Sequence, residues 1–142
     1  MSAVRYRPAV WPAILALVLA ACTGATASPS PIATAGGPRP ASPAVVSIVQ
    51  PAPNASLTGP TVHIELKLEN ATIVPATSTN IRPDEGHVHL YVDNVLVSMN
   101  YGLAQDLSLK PGTYQLKAEF VAADHAPFDP RVWSTVVLFT VK

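Results

Sequence analysis

An alternation of apolar and polar residues constrains the fold of this chain more than any other feature of its sequence. From Thr61 to Glu69 every second residue is apolar, and the residues between are polar or charged. The pattern recurs in Gly86 to Asp93 and in Thr113 to Val121. Because side chains of a β-strand point alternately to opposite faces, each segment predicts a strand with one buried and one exposed face. Such strands are expected in antiparallel sheets that pack through their apolar faces.

Proline content favours the same fold class. The 142 residues include 15 prolines, and proline removes a helix donor and clashes with the preceding helical turn. We therefore expect an all-β fold, an immunoglobulin-like antiparallel β-sandwich of about seven strands, with a small antiparallel barrel as the alternative. The expected strands are Val45–Val49, Thr61–Glu69, Gly86–Asp93, Val95–Met99, Gln105–Leu109, Thr113–Val121 and Arg131–Val141. The side chains expected in the core include the aromatic residues Phe120, Phe128, Trp133 and Phe139.

Residues 1–21 have the pattern of a bacterial lipoprotein signal peptide. Arg5 and Arg7 precede an uncharged apolar run over residues 9–21. The run is shorter than a membrane-spanning helix of about 20 residues but suits a secretory signal. It ends in Leu-Ala-Ala-Cys22, which resembles a lipobox, and Cys22 is the only cysteine of the chain. We expect a lipid on Cys22 that anchors the protein outside the cytoplasm, in the bacterial cell envelope. The alternative is an ordinary signal peptide with an incidental Cys22.

The segment after the signal is expected to be a linker. Residues 22–43 hold the lipidated cysteine and a stretch with five prolines among mostly Ala, Ser, Thr and Gly. Such a composition buries too little apolar area to offset its ordering entropy, so it predicts a disordered tether. The folded domain is then residues 44–142.

Charge and motifs exclude several function classes. Nine basic residues balance nine acidic ones, which argues against electrostatic binding of nucleic acid. A single cysteine excludes a disulfide scaffold within the monomer. The sequence contains no G-x-S-x-G, H-E-x-x-H or Walker-type loop, so we expect no enzyme. The favoured function is a non-catalytic binding or structural module at the membrane, with an unidentified envelope protein or polymer as its partner.

Histidine spacing gives the alternative function. His87 and His89 share one strand face, about 6.5–7 Å apart. In an immunoglobulin-like sheet, the start of this strand lies beside the end of the Thr113 strand, which leads to Asp124 and His125. The Val95 strand brings Met99 towards the same end. Three imidazoles with a thioether would suit copper, and with a carboxylate they would suit zinc.

A simpler interpretation of these residues stays open. His87 and His89 are then only the polar face of a strand, and His125 is a loop residue that bonds backbone groups. His63 points outward on another strand, expected in the opposite sheet, and is not counted as a ligand.

The second half of the domain resembles a family of uncharacterised exported bacterial domains. The resemblance lies in Gly86-His87-Val88-His89 followed by Asp93, in the Leu109 to Gly112 turn, and in the loop Ala123 to Pro130 before the final strand. Family members often carry histidine where this chain has Val88. The resemblance implies an exported β-domain and directs attention to the histidines, but it implies no activity.

Overall fold

The computed structural model describes residues 38–142. The predicted signal peptide, Cys22 and residues 23–37 of the expected linker lie outside the described residues. Residues 38–142 contain no helix that is long and apolar enough to cross a membrane. The described residues form ten strands: β1 (Val45–Gln50), β2 (Ala55–Leu57), β3 (Thr61–Glu69), β4 (Thr72–Ile73), β5 (Glu85–Val92), β6 (Val95–Asn100), β7 (Ala104–Ser108), β8 (Gly112–Ala122), β9 (Pro127–Trp133) and β10 (Val137–Val141).

The strands form two sheets. β3 lies between β1 and β7 in the smaller sheet, and both pairings are antiparallel. The larger sheet is built on β10, β8 and β5, which pair antiparallel. β2 adds to β10, β9 pairs with β8, and both β4 and β6 pair with β5. β5 and β8 therefore form the centre of the larger sheet.

The hydrophobic core joins the two sheets. Ile64 of the smaller sheet and Leu90, Leu116 and Phe120 of the larger sheet are fully buried in one cluster. These residues belong to the apolar faces that the alternation predicts, so the predicted register of β3, β5 and β8 agrees with the structure. The all-β sandwich prediction is confirmed.

The hairpin between β5 and β6 shows how the sequence fixes the local geometry. Asp93 and Asn94 have φ values of 50° and 66°, and the flanking residues Val92 and Val95 pair directly. Positive φ at both central residues is the mark of a type I′ turn, which matches the twist of the strands and favours Asn and Asp. The predicted tight turn is thus present.

The prediction was wrong around the last strand. The expected loop over residues 122–130 contains the start of β9, and the expected strand Arg131–Val141 is interrupted after Trp133. Ser134 bridges the interruption: its backbone N–H donates to the Ala118 carbonyl at 2.8 Å, and its Oγ accepts from the Ala118 N–H at 2.9 Å. A side chain therefore replaces a backbone partner, which an alternation pattern does not reveal.

Candidate functional site

The face of β5 that points away from the core is also buried. His87 is 0% and His89 is 5% exposed, although strand alternation predicts a solvent-facing position for both. Side chains from two connecting segments cover this face: the ring of Tyr101, which follows β6, and the ring of His125, which follows β8, both pack against His87. The expectation of a simple exposed polar face is therefore wrong, because β5 lies between the core and a second layer of side chains.

Three histidines meet in this layer. The His89 Nε2 and His125 Nδ1 atoms lie 3.1 Å apart and share a hydrogen bond whose donor depends on the tautomers. The ring centroids of His87 and His125 are 4.3 Å apart, with the rings nearly parallel. Tyr101 closes the cluster edge-on to His87, with a centroid distance of 4.7 Å. The structure thus brings together the three histidines that the sequence places at one end of the sheet. We call His87, His89 and His125 the histidine cluster.

His87 has an unusual environment. Both of its ring nitrogens are buried, and neither has a hydrogen-bond partner within residues 38–142. Burial lowers the pKa of His87, and repulsion from His125 lowers it further. The backbone of Val74 and Ala76, which lies near the ring but outside hydrogen-bond geometry, opposes the shift. Burial also lowers the pKa of His89. Both imidazoles are therefore neutral at neutral pH and keep a lone pair for a Lewis acid.

His125 occupies a turn in the left-handed region. The turn closes through the His125 N–H, which donates to the Ala122 carbonyl at 2.9 Å, and His125 has a φ of 63°. Few non-glycine residues adopt this conformation, and they do so where the surroundings enforce it. The turn between β8 and β9 therefore holds the imidazole over β5 at some cost in backbone strain.

Arg39 holds the same turn from outside. Its guanidinium donates to both carboxylate oxygens of Asp124, at 2.7 and 2.8 Å, and to the carbonyls of Ala126 and Pro127. Hydrogen bonding from Arg39 lowers the pKa of Asp124. Asp124 was predicted as a candidate ligand, but the structure directs its carboxylate to Arg39. Sequence reasoning missed Arg39, whose one signal is that it is the single charged residue of the stretch 22–43.

Met99 and His63 lie where the sequence places them. Met99 is the direct partner of His89 in the β5–β6 pairing and is 55% exposed. Directly opposed residues of antiparallel strands project to the same face, so Met99 stands on the side of the histidine cluster. His63 lies in the smaller sheet, where its Nδ1 is 2.7 Å from a carboxylate oxygen of Asp106.

Gly86 makes the close approach of β5 and β8 possible. It pairs with Ala122, and a Cβ atom at position 86 would collide with the Val121 carbonyl oxygen. Because Gly86 directly precedes His87, the close approach holds β5 against β8 at the point where the first histidine begins.

A second polar cluster continues along the same face. Glu119 is fully buried and accepts hydrogen bonds from the Arg131 guanidinium, at 2.5 and 2.7 Å, and from the Tyr91 hydroxyl at 3.1 Å. Trp133 packs here against Tyr91, with the Lys117 ammonium 4.4 Å from its ring centroid. The expectation of Trp133 in the core is therefore wrong: it covers the outer face of the sheet. The other three predicted core aromatics are buried.

The histidine cluster is not arranged as a finished three-ligand centre. Within residues 38–142, no group of three or more His, Cys, Asp or Glu side chains is set to hold a metal ion. The His87 ring stacks on the His125 ring. An imidazole nitrogen binds a metal in the plane of its ring, so two stacked rings do not direct their nitrogens at one point. A rotation of the His87 side chain is needed before three imidazoles can share an ion.

Comparison with known proteins identifies the family. The sequence model of a domain of unknown function, DUF4399, matches residues 64–142. The chain belongs to this family. The match includes β5, β8 and β9, and with them the whole histidine cluster. A search of curated proteins found no similar sequence.

A solved structure supports the predicted fold. The fibronectin(III)-like modules of Clostridium thermocellum CbhA share 22% identity with this chain at a TM-score of 0.52. The match covers 69% of this chain and 46% of that one, so the chain spans about half of the solved structure. An endo-beta-1,4-mannanase from Thermotoga petrophila matches at 13% identity and a TM-score of 0.45, over 70% of this chain and 20% of the other. The first likeness supports an immunoglobulin or fibronectin III type of sandwich and carries no function with it.

Proposed function

We propose that this protein is a non-catalytic, lipid-anchored binding module of the bacterial envelope, and that it binds a transition-metal ion, copper or zinc, at the histidine cluster. The observation that carries the proposal is the meeting of three imidazoles. One of them is buried, and both of its nitrogens are unpartnered in the part of the chain that the structure describes. A buried donor without a partner costs about 1–3 kcal/mol, and a bound ion would recover that cost.

Geometry supports a site at the His89–His125 pair. Two nitrogens bound to one ion at about 2.0–2.1 Å, with an angle between tetrahedral and square, lie about 2.9–3.4 Å apart. The His89 Nε2 and His125 Nδ1 atoms are 3.1 Å apart. The spacing of these two nitrogens therefore suits one shared ion. Each ring would turn so that its lone pair points at the ion instead of at the other nitrogen, and His87 would supply the third nitrogen once its own ring turns.

Metal titration of the full chain in detergent tests the site. Zinc or copper should raise the melting temperature, because a ligand that binds only the folded state stabilises it by about 2.7 kcal/mol at 100 times its dissociation constant. His89→Ala should abolish the gain. His125→Asn is the second variant, since Asn tolerates the left-handed turn. His63→Ala is the matched control and should keep the gain. An equal gain in all four proteins would overturn the proposed site.

The anchor is tested separately. Cys22→Ser removes the thiol that would carry the lipid, so the variant should remain unlipidated or unprocessed. Wild-type protein should partition into the detergent phase with a mass that includes acyl chains, and the variant should lack that mass. If wild type and Cys22→Ser were both soluble exported proteins without acyl mass, the proposed anchor would be contradicted.

The partner protein or polymer stays a prediction. It is supported by the exposed apolar residues of β6, namely Val95, Leu96, Val97 and Met99.

A further inference from the structure

We infer that the histidine cluster selects monovalent copper, Cu(I), over divalent zinc and divalent copper. The inference rests on the proposed function and names the ion class for that same site. It follows from which donors near the cluster remain free and which are already engaged.

Carboxylates beside the cluster are neutralised. Asp124 precedes His125 and is bound by two nitrogens of Arg39. Glu119 is the direct strand partner of His89, and Arg131 binds it through two nitrogens. Each carboxylate that the sequence sets next to a cluster histidine thus forms an ion pair with an arginine. Among the described residues, an incoming ion therefore meets imidazoles beside two carboxylates, Asp124 and Glu119, whose charge is already compensated by arginine.

A neutral donor set discriminates between ions by charge and softness. Divalent ions gain most from anionic carboxylate or thiolate ligands, whose charge offsets the desolvation of the ion. A monovalent ion has less charge to compensate and tolerates neutral nitrogen and sulfur donors. Thioethers are soft ligands that select Cu(I), while carboxylate and carbonyl oxygens suit hard ions.

Met99 provides such a thioether. It stands opposite His89 on β6, and more than half of its side chain is exposed. The side chain therefore has freedom to turn towards the cluster without disturbing the core. Methionine is also flexible, with a polarizable sulfur that adapts to irregular sites. The geometry points to His87, His89, His125 and Met99 as the ligands of Cu(I).

Competition measurements on the full chain in detergent test the inference. Every protein carries Cys22→Ser, so that no thiol competes for Cu(I). Affinity for Cu(I), Cu(II) and Zn(II) is measured against chromophoric chelators, with Cu(I) kept reduced. We expect one Cu(I) per chain, bound at least about 100-fold more tightly than Zn(II) and more tightly than Cu(II), in line with ligand softness. Met99→Leu should weaken Cu(I) about 10-fold and leave Zn(II) unchanged.

Leu96→Val is the matched control, because Leu96 is an exposed apolar residue of the same strand that pairs with Tyr91. It should leave all three affinities unchanged. Zinc or Cu(II) binding as tight as Cu(I), with loss in His89→Ala, would overturn the inference and leave the metal site in place. An unchanged Cu(I) affinity in Met99→Leu would also overturn it. No binding of any of the three ions would instead overturn the proposed function.

Discussion

His87 is a residue that fold stability alone does not explain. It is fully buried, and neither ring nitrogen has a hydrogen-bond partner among the residues that the structure describes. An apolar side chain at this position would avoid the cost of an unsatisfied buried polar group, about 1–3 kcal/mol. Natural proteins retain such costs where a site needs the group. A substitution of His87 can therefore distinguish a role in binding from a role in packing.

Replacing His87 by an apolar residue of similar size tests this separation. In metal-free protein, His87→Leu should leave the free energy of unfolding unchanged or raise it by about 1 kcal/mol. His89→Leu is the comparison, because it removes the hydrogen bond to His125 and should lower stability by about 1 kcal/mol. Urea denaturation at pH 8 with a chelator measures both. A loss of more than about 2 kcal/mol in His87→Leu would show that the imidazole serves packing.

The element that positions His125 is the turn between β8 and β9. Arg39, which lies before β1, binds this turn through its guanidinium. Arg39 and Asp124 are each less than a third exposed, so their paired, charge-assisted hydrogen bonds are only partly screened by water. Further bonds from Arg39 reach the carbonyls of Ala126 and Pro127. The turn should therefore loosen when the guanidinium is removed.

Arg39→Gln should lower the free energy of unfolding by about 1–2 kcal/mol, since hydrogen bonds to charged groups contribute more than neutral ones. Hydrogen exchange at the Ala126 amide, which donates to Asp124 at 3.1 Å, should become faster. The matched control is Lys67→Gln. Lys67 pairs with Glu69, and both side chains are at least half exposed, so this ion pair should contribute less than about 1 kcal/mol to the free energy of unfolding. Equal effects of the two changes would contradict a positioning role for Arg39.

Strand alternation predicted those elements whose two faces differ. β3 begins and ends at the predicted residues, and the buried residues of β8 include the predicted Leu116, Ala118 and Phe120. It did not predict β9, because Pro127 and Pro130 lie within that strand and normally indicate a loop. Strand alternation also predicted the wrong exposure for the outer face of β5, because segments distant in sequence cover this face and such covering leaves no periodic pattern in the sequence of β5. The meeting of the histidines followed from strand topology, whereas the role of Arg39 depends on a contact across 85 residues.

At the scale of the whole molecule, the two faces of the larger sheet pack against different layers of side chains. One face contributes to the apolar core against the smaller sheet, and the other carries the histidine cluster and the Tyr91–Glu119–Arg131 network. Titration on the second face changes the stability of the whole domain, because folding is linked to every group whose pKa differs between the folded and unfolded states.

Metal-free protein should lose stability as the pH falls through about 6.5. Burial and repulsion within the cluster lower the pKa of His87 and His89 in the folded state, whereas the unfolded chain protonates near pH 6.5. Between the folded-state and unfolded-state pKa values, the unfolded chain binds more protons than the folded domain, so stability rises with pH. The contribution of these histidines to stability is fully present above about pH 7.5. The slope below pH 6.5 should reach at most about 1.4 kcal/mol per pH unit for each histidine. The lowered pKa of Asp124 affects stability in a separate pH range, below about pH 4.

Unfolding free energies measured from pH 8 to pH 5 with a chelator test the histidine contribution. Wild type and His63→Gln should both lose stability below pH 6.5, and the double variant His87→Leu and His89→Gln should show a flattened profile. A double variant that keeps the wild-type slope would place the responsible groups elsewhere in the molecule.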